Sequence, residues 1–191
     1  MGTVQSKGSA RSKKPALILD ATPLIYLCKA NLSKRLRVLT AHYRLCTTLE
    51  GYQEVYVKGM QNGVNEVEEL KALFNDGVVE VLTTEFGKKQ TPANDLFKSS
   101  GLHAGEIAVL RAADSLGGTA VIDDKRARSV GEAIGLDLSG TVAIIIEFVR
   151  LELISKPEAK ESIDKMVNEG WYCSAKDYVQ MIRSIDSVRV A

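Results

Sequence analysis

Apolar positions along the chain fall into two patterns, short mostly apolar runs and longer stretches of helical period. The runs lie at 16–19, 43–47, 78–82 and 119–122. They show little alternation with polar residues, which predicts strands buried on both faces, as in a parallel sheet. Between them, Thr22-Pro23 followed by Leu24, Ile25 and Leu27 predicts a helix with Thr22 as its N-cap and Pro23 at its first position. Further helices are expected at 32–39, 48–60, 65–75, 104–116 and 125–134, the last stopped by Gly135. The polar stretch 83–100, which holds Pro92, reads as a loop or a short helical excursion. After Gly140 the pattern is helical only, at 141–153, 157–168 and 175–185.

Strand alternating with helix predicts an α/β fold, a three-layer α/β/α arrangement with a central parallel sheet of about four to five strands and a helical C-terminal extension. The apolar helix faces at Leu24, Ile25, Leu27 and Cys28, and at Ile144, Ile145 and Phe148, are assigned to the core. The organisation expected is a flexible basic tail at 1–15 and one domain at 16–191, with a core at 16–153 and the extension at 154–191.

Composition narrows the function classes only slightly. Charged residues make up 26% and apolar residues 45%, and the longest apolar run, 142–146, is far too short to span a bilayer. Residues 1–15 are polar and basic with no apolar segment of a secretory signal, so a cytoplasmic location is expected. Three widely spaced cysteines, Cys28, Cys46 and Cys173, give no zinc or disulfide pattern and are read as small buried hydrophobes. A net charge of +1 supplies no general argument for nucleic acid, and no run of basic and aromatic residues offers a stacking platform.

The candidate chemistry is acidic. Asp20 closes the first apolar run and Asp123-Asp124 closes the fourth. In a parallel sheet ligands bind beyond the carboxyl ends of the strands, so these carboxylates are expected to converge. One of the Asp pair has a local explanation as a helix cap. Glu106 sits in the first turn of its helix beside an apolar stripe of Val109, Leu110 and Ala113, so its charge needs a partner. Glu54 has Lys58 four residues on, which a surface ion pair would explain, yet its helix also starts at the carboxyl edge of the sheet. Carboxylates about 4 Å apart repel by roughly 4 kcal/mol per pair at an effective dielectric near 20, so protonation or a divalent cation must compensate them. Oxygen-only ligation suits Mg²⁺ or Mn²⁺.

The segments Ile18-Leu19-Asp20-Ala21-Thr22-Pro23-Leu24-Ile25, Glu54-Val55, Gly105-Glu106-Ile107-Ala108, Val121-Ile122-Asp123-Asp124-Lys125-Arg126-Ala127-Arg128, Gly135-Leu136 and Gly140-Thr141 together resemble PIN-domain nucleases, most closely the VapC-like archaeal and bacterial branch. Gly170-Trp171-Tyr172-Cys173-Ser174 resembles that branch's C-terminal piece. The resemblance implies Mg²⁺- or Mn²⁺-dependent hydrolysis of RNA phosphodiesters, leaving a 3'-hydroxyl and a 5'-phosphate. Position by position, Asp20, Glu54, Glu106 and Asp124 match the family's four acids, Asp123 stands where many relatives are polar, and Thr22 and Thr141 match hydroxyl residues that line such sites. Asp20, Glu106 and Asp124 are the implied metal ligands, and Glu54 would orient a second ion or the water. Lys125, Arg126 and Arg128 would contact phosphates where they face the cleft. Homodimers are implied, and an antitoxin partner is left open. Two rival readings remain: a PIN-like scaffold that binds RNA or protein without cutting, and a haloacid-dehalogenase-type phosphohydrolase. The latter wants Asp-x-Asp, whereas Thr22 stands where its second acid belongs.

Overall fold

Five short strands form one parallel sheet in the order β3-β2-β1-β4-β5. They are β1 (Ala16–Leu19), β2 (Arg44–Thr48), β3 (Glu80–Leu82), β4 (Thr119–Val121) and β5 (Leu138–Ser139). The structure is a computed structural model that describes residues 14–62, 64–83, 96–97 and 99–189. The helices described are α1 (Ala21–Lys29), α2 (Ser33–Leu39), α3 (Leu49–Asn62), α4 (Val64–Asn75), α5 (Ala104–Leu116), α6 (Lys125–Ala133), α7 (Thr141–Arg150), α8 (Lys156–Asn168) and α9 (Ala175–Asp186).

Alternation along β1 divides the core into two layers. Leu17 and Leu19 point to one face, where they meet Leu24 and Leu27 of α1, Ile145 and Phe148 of α7 and Ile163 of α8. Ala16 and Ile18 point to the other, where they meet Val109, Leu110 and Ala113 of α5. A strand covered on both sides carries no polar face, which is why β1 reads as an unbroken apolar run. Ile18 and Leu19 have no exposed surface, so truncating either would cost about 2–5 kcal/mol in lost burial and cavity formation. The expected α/β/α layering is therefore present, with helices on both faces of the sheet.

Several local expectations are corrected. Helix α1 starts at Ala21, so Asp20 and not Thr22 occupies the N-cap position, and Pro23 lies inside the first turn. Proline is tolerated there because first-turn N–H groups have no intrahelical acceptor. Helix α7 ends at Arg150 and not at 153, because Glu152 adopts a φ of 56° that a helix cannot continue through. Strand β5 is only two half-buried residues, too short to leave a periodic signal. Cys28 and Cys46 are buried as expected, but Cys173 is only partly so. The basic tail expected at 1–15 and the loop expected at 83–100 lie largely outside the described residues.

Candidate active site

The sheet order reverses between β1 and β4, since the chain runs from β1 outward to β2 and β3 and then returns to lay β4 and β5 on the opposite side. Crevices form at such switch points because the connections from neighbouring strands leave in opposite directions. Asp20 and the Asp123-Asp124 pair stand there. The ladder continues past β1 through Asp20 N–H, which donates to Val121 O at 3.0 Å, and past β4 through Ile122 N–H, which donates to Ser139 O at 3.0 Å. These bonds fix Asp20 beside the end of β4. Only 8% of Asp20 is exposed, and its carboxylate makes no capping bond although it begins α1. The positive end of that helix favours the charge.

Asp123 and Asp124, adjacent in sequence, have different surroundings. Asp124 is exposed and caps α6, its Oδ1 accepting the Ala127 N–H at 2.8 Å. Asp123 turns the other way and accepts three hydrogen bonds. Thr141 N–H reaches its Oδ1 at 2.8 Å, while Thr141 Oγ1 and Trp171 Nε1 reach its Oδ2 at 2.6 and 3.1 Å. Thr141 has no exposed surface, and its hydroxyl is committed to this carboxylate. Gly140 makes the approach possible, since a Cβ there would stand 2.9 Å from Asp123 Oδ1. Sequence reasoning did not foresee this clamp. Its one available signal was the chain's single tryptophan, whose N–H needs an acceptor once the indole is buried.

Glu106 occupies the third position of α5 and closes the helix start, with Oε2 accepting the His103 N–H at 2.8 Å. Glu54 approaches from α3, whose own start is capped by Thr48 Oγ1 accepting the Gly51 N–H at 3.1 Å. A Cβ on Gly105 would lie 3.4 Å from Glu54 Oε2, so the Glu54 carboxylate rests against the first turn of α5, next to Glu106. Asp20, Glu54, Glu106, Asp123 and Asp124 all line one open cleft of about 1170 Å³, together with Thr22. Thr141 does not line it.

Of the basic residues after the acidic pair, Lys125 and Arg128 line the cleft and Arg126 does not. Arg128 Nη1 donates to Ile122 O at 3.2 Å and Ser139 O at 2.6 Å, so this nitrogen ties together the carbonyl ends of β4 and β5. Lys125 Nζ pairs with Asp177 of α9 at 3.0 Å. That contact raises the Lys125 pKa and, after the Ser174 hydroxyl bond, is the second cause holding Asp177 below the ordinary carboxylate range. Arg126 is exposed and leans toward the turn at Gly101.

Among the described residues, no three histidine, cysteine, aspartate or glutamate side chains are gathered into a ready-made metal site. Carboxylates are nevertheless the commonest ligating groups lining the cleft, with Thr22, His103 and Cys173 beside them. The second oxygen of Asp124 and that of Glu106 each lack a hydrogen bond among the described residues. A hard cation that keeps several waters and takes one or two carboxylates directly is compatible with such an open ring.

No curated protein sequence matches this chain. Among solved structures, the crystal structure of PAE2754 from Pyrobaculum aerophilum is similar over 71% of this chain and 98% of that one, with a TM-score of 0.49 and 14% identity. A protein-family model described as a PIN domain matches residues 16–187, from the first residue of β1 to just beyond α9. That span takes in the whole sheet, every acid of the cleft and the helices that wall it, and it places this chain in the PIN-domain family, whose members are in general nucleases.

Proposed function

We propose that the chain is a divalent-cation-dependent ribonuclease and that the cleft at the β1–β4 switch point is its active site. The observation that carries this reading is that acidic residues from four remote segments, each at or near a helix start on the carboxyl edge of the sheet, line one cleft. A fold has no structural need for that many carboxylates in one opening. Asp20, Glu106 and Asp124 would hold Mg²⁺ or Mn²⁺, and Glu54 would hold a second ion or the attacking water. Such ions neutralise a scissile phosphate and lower the pKa of water.

The chain's own groups supply orientation. Asp124 and Glu106 each commit one oxygen to a backbone N–H, which fixes the rotamer and leaves the other oxygen to the cleft. Asp123 and Thr141 act as positioning residues here, because the clamp between them locks the start of α7 against the residue preceding Asp124. RNA is the proposed substrate. The non-cutting scaffold is the alternative, and it explains the clamp but not the open carboxylates.

Asp124→Asn tests the proposal cleanly. Asparagine caps a helix about as well as aspartate, within a few tenths of a kcal/mol, so the variant folds while its charge is gone. Mn²⁺-dependent cleavage of single-stranded RNA is expected to disappear at unchanged melting temperature, and titrated Mn²⁺ should quench Trp171 less than in the unsubstituted protein. Cleavage that survives in Asp124→Asn, or that persists in EDTA, would sink the assignment.

A further inference from the structure

We infer that Tyr172 is a nucleobase-stacking subsite at the mouth of the cleft, made for an unpaired base of single-stranded RNA; this rests on the ribonuclease reading above. Tyr172 is 86% exposed, while its neighbour Trp171 is buried with its N–H on Asp123. Among the described residues the other large apolar side chains at the surface reach at most 59% exposure. The ring meets no other aromatic, and the hydroxyl makes no hydrogen bond, among the described residues. Folding therefore gains almost nothing from this ring.

The segment that bears it is held at both ends. Trp171 is anchored on Asp123, and Ser174 caps α9 by accepting the Asp177 N–H at 3.1 Å. Tyr172 is thus presented from a fixed backbone, so little conformational freedom is lost when a flat ligand covers it. Tyrosine suits this, having only two side-chain torsions and a face that any base can stack on.

Position identifies the ligand. Tyr172 lines the same cleft as Asp124 and Lys125. No basic-aromatic run exists in the sequence, but the fold brings Lys125 of α6 and Tyr172 of the C-terminal extension onto one wall. Asp177 and Gln180 line the cleft with it, alongside the apolar Val142, Cys173 and Met181, and Tyr172 is far more exposed than Tyr26 and Trp171, the other aromatic rings of the cleft. An exposed π face opening on a carboxylate cleft matches one nucleotide of a bound strand.

Steady-state cleavage of a ten-nucleotide single-stranded RNA in Mn²⁺ tests this. Tyr172→Ala is expected to raise KM roughly 5- to 150-fold with kcat nearly unchanged, and Tyr172→Phe and Tyr172→Trp to keep the original KM. A ribose-phosphate oligomer of the same length without bases, used as a competitive inhibitor, should show the same inhibition constant against Tyr172→Ala as against the unsubstituted protein. The inference is overturned if KM does not move while the unsubstituted protein cuts normally, or if the base-free competitor weakens in parallel. It is also overturned if Tyr172→Ala changes only the oligomeric state by light scattering, which would make the ring a protein contact. Absence of cleavage by the unsubstituted protein would instead remove the ribonuclease reading beneath it.

Discussion

Replacing Asp123 with alanine deletes the common acceptor of three hydrogen bonds, at 2.8, 2.6 and 3.1 Å from Thr141 N, Thr141 Oγ1 and Trp171 Nε1. Thr141 has no exposed surface and Trp171 is 6% exposed, so the donors left behind cannot turn to water where they stand. A hydrogen bond to a charged acceptor contributes about 1.5–3 kcal/mol, and an orphaned buried donor costs about 1–3 kcal/mol. These bonds share one carboxylate and are not additive, and part of the loss is relieved by relaxation, so the net destabilisation is about 3–5 kcal/mol. For a domain of this size each kcal/mol moves the melting temperature by about 2–4 °C, which puts Asp123→Ala about 6–20 °C below the unsubstituted protein.

Asp123→Asn separates stability from chemistry. Its carbonyl can still accept the Thr141 N–H, and its amide can donate to Thr141 Oγ1, but the indole N–H then faces a second donor. One lost bond of about 1–3 kcal/mol is expected. On the proposed positioning role of Asp123, Asp123→Asn should retain RNA cleavage within about a hundredfold, the scale of a small misplacement, where Asp124→Asn loses it. Thermal melting and Mn²⁺-dependent cleavage on the same preparations decide the matter. An Asp123→Ala protein that melts with the unsubstituted one, or an Asp123→Asn protein that is inert at full stability, would refute the positioning role.

Two further predictions concern the frame around the site. Gly118→Ala would put a Cβ 2.9 Å from Ala16 O and 2.7 Å from Ile18 Cδ1; the side chain can shift but the strand carbonyl cannot, so a loss of about 1–3 kcal/mol is expected in denaturant titration, and an unchanged midpoint would mean that β1 and the α5–β4 turn are looser than they stand. Burial pushes the Cys46 thiol from 9.0 up to about 11, so the folded state holds this proton more tightly than the unfolded one. Its contribution to stability is whole below about pH 9 and is lost as pH rises toward 11, and Cys46→Ala should show a shallower decline over that window; equal slopes would discount the thiol.

The elements were legible in the sequence where period and length were strong. Residues 104–116 have a clean apolar stripe and a glycine stop, and α5 has these same limits. The convergence of Asp20 with the Asp123-Asp124 pair was legible because the carboxyl ends of neighbouring parallel strands open on one crevice. The split between Asp123 and Asp124 was not, since both readings of an Asp pair fit the same local pattern. What separates them is Thr141 and Trp171, which lie 18 and 48 residues away from Asp123 and carry no periodic mark of that contact. The structural role of Arg128 was equally unmarked: its Nη1 joins Ile122 O and Ser139 O at the ends of β4 and β5, a contact across 6 and 11 residues that the local pattern does not signal.

The clamp also ties the C-terminal extension physically to the acidic cleft. Ile163 of α8 and Ile185 of α9 enter the same core as β1, and Tyr178 joins the two helices through Asp164. That packing alone would make the extension a structural cover. Trp171 lies in the link between these helices, however, and its N–H completes the Asp123 carboxylate, while Asp177 reaches Lys125 beside Asp124. Both contacts land on the β4–α6 junction, one on Asp123 and one on the residue after Asp124. Movement of α9 away from the sheet would therefore release Asp123 and Lys125 together, so the position of Asp124 depends on the extension through two bonds as well as through the core.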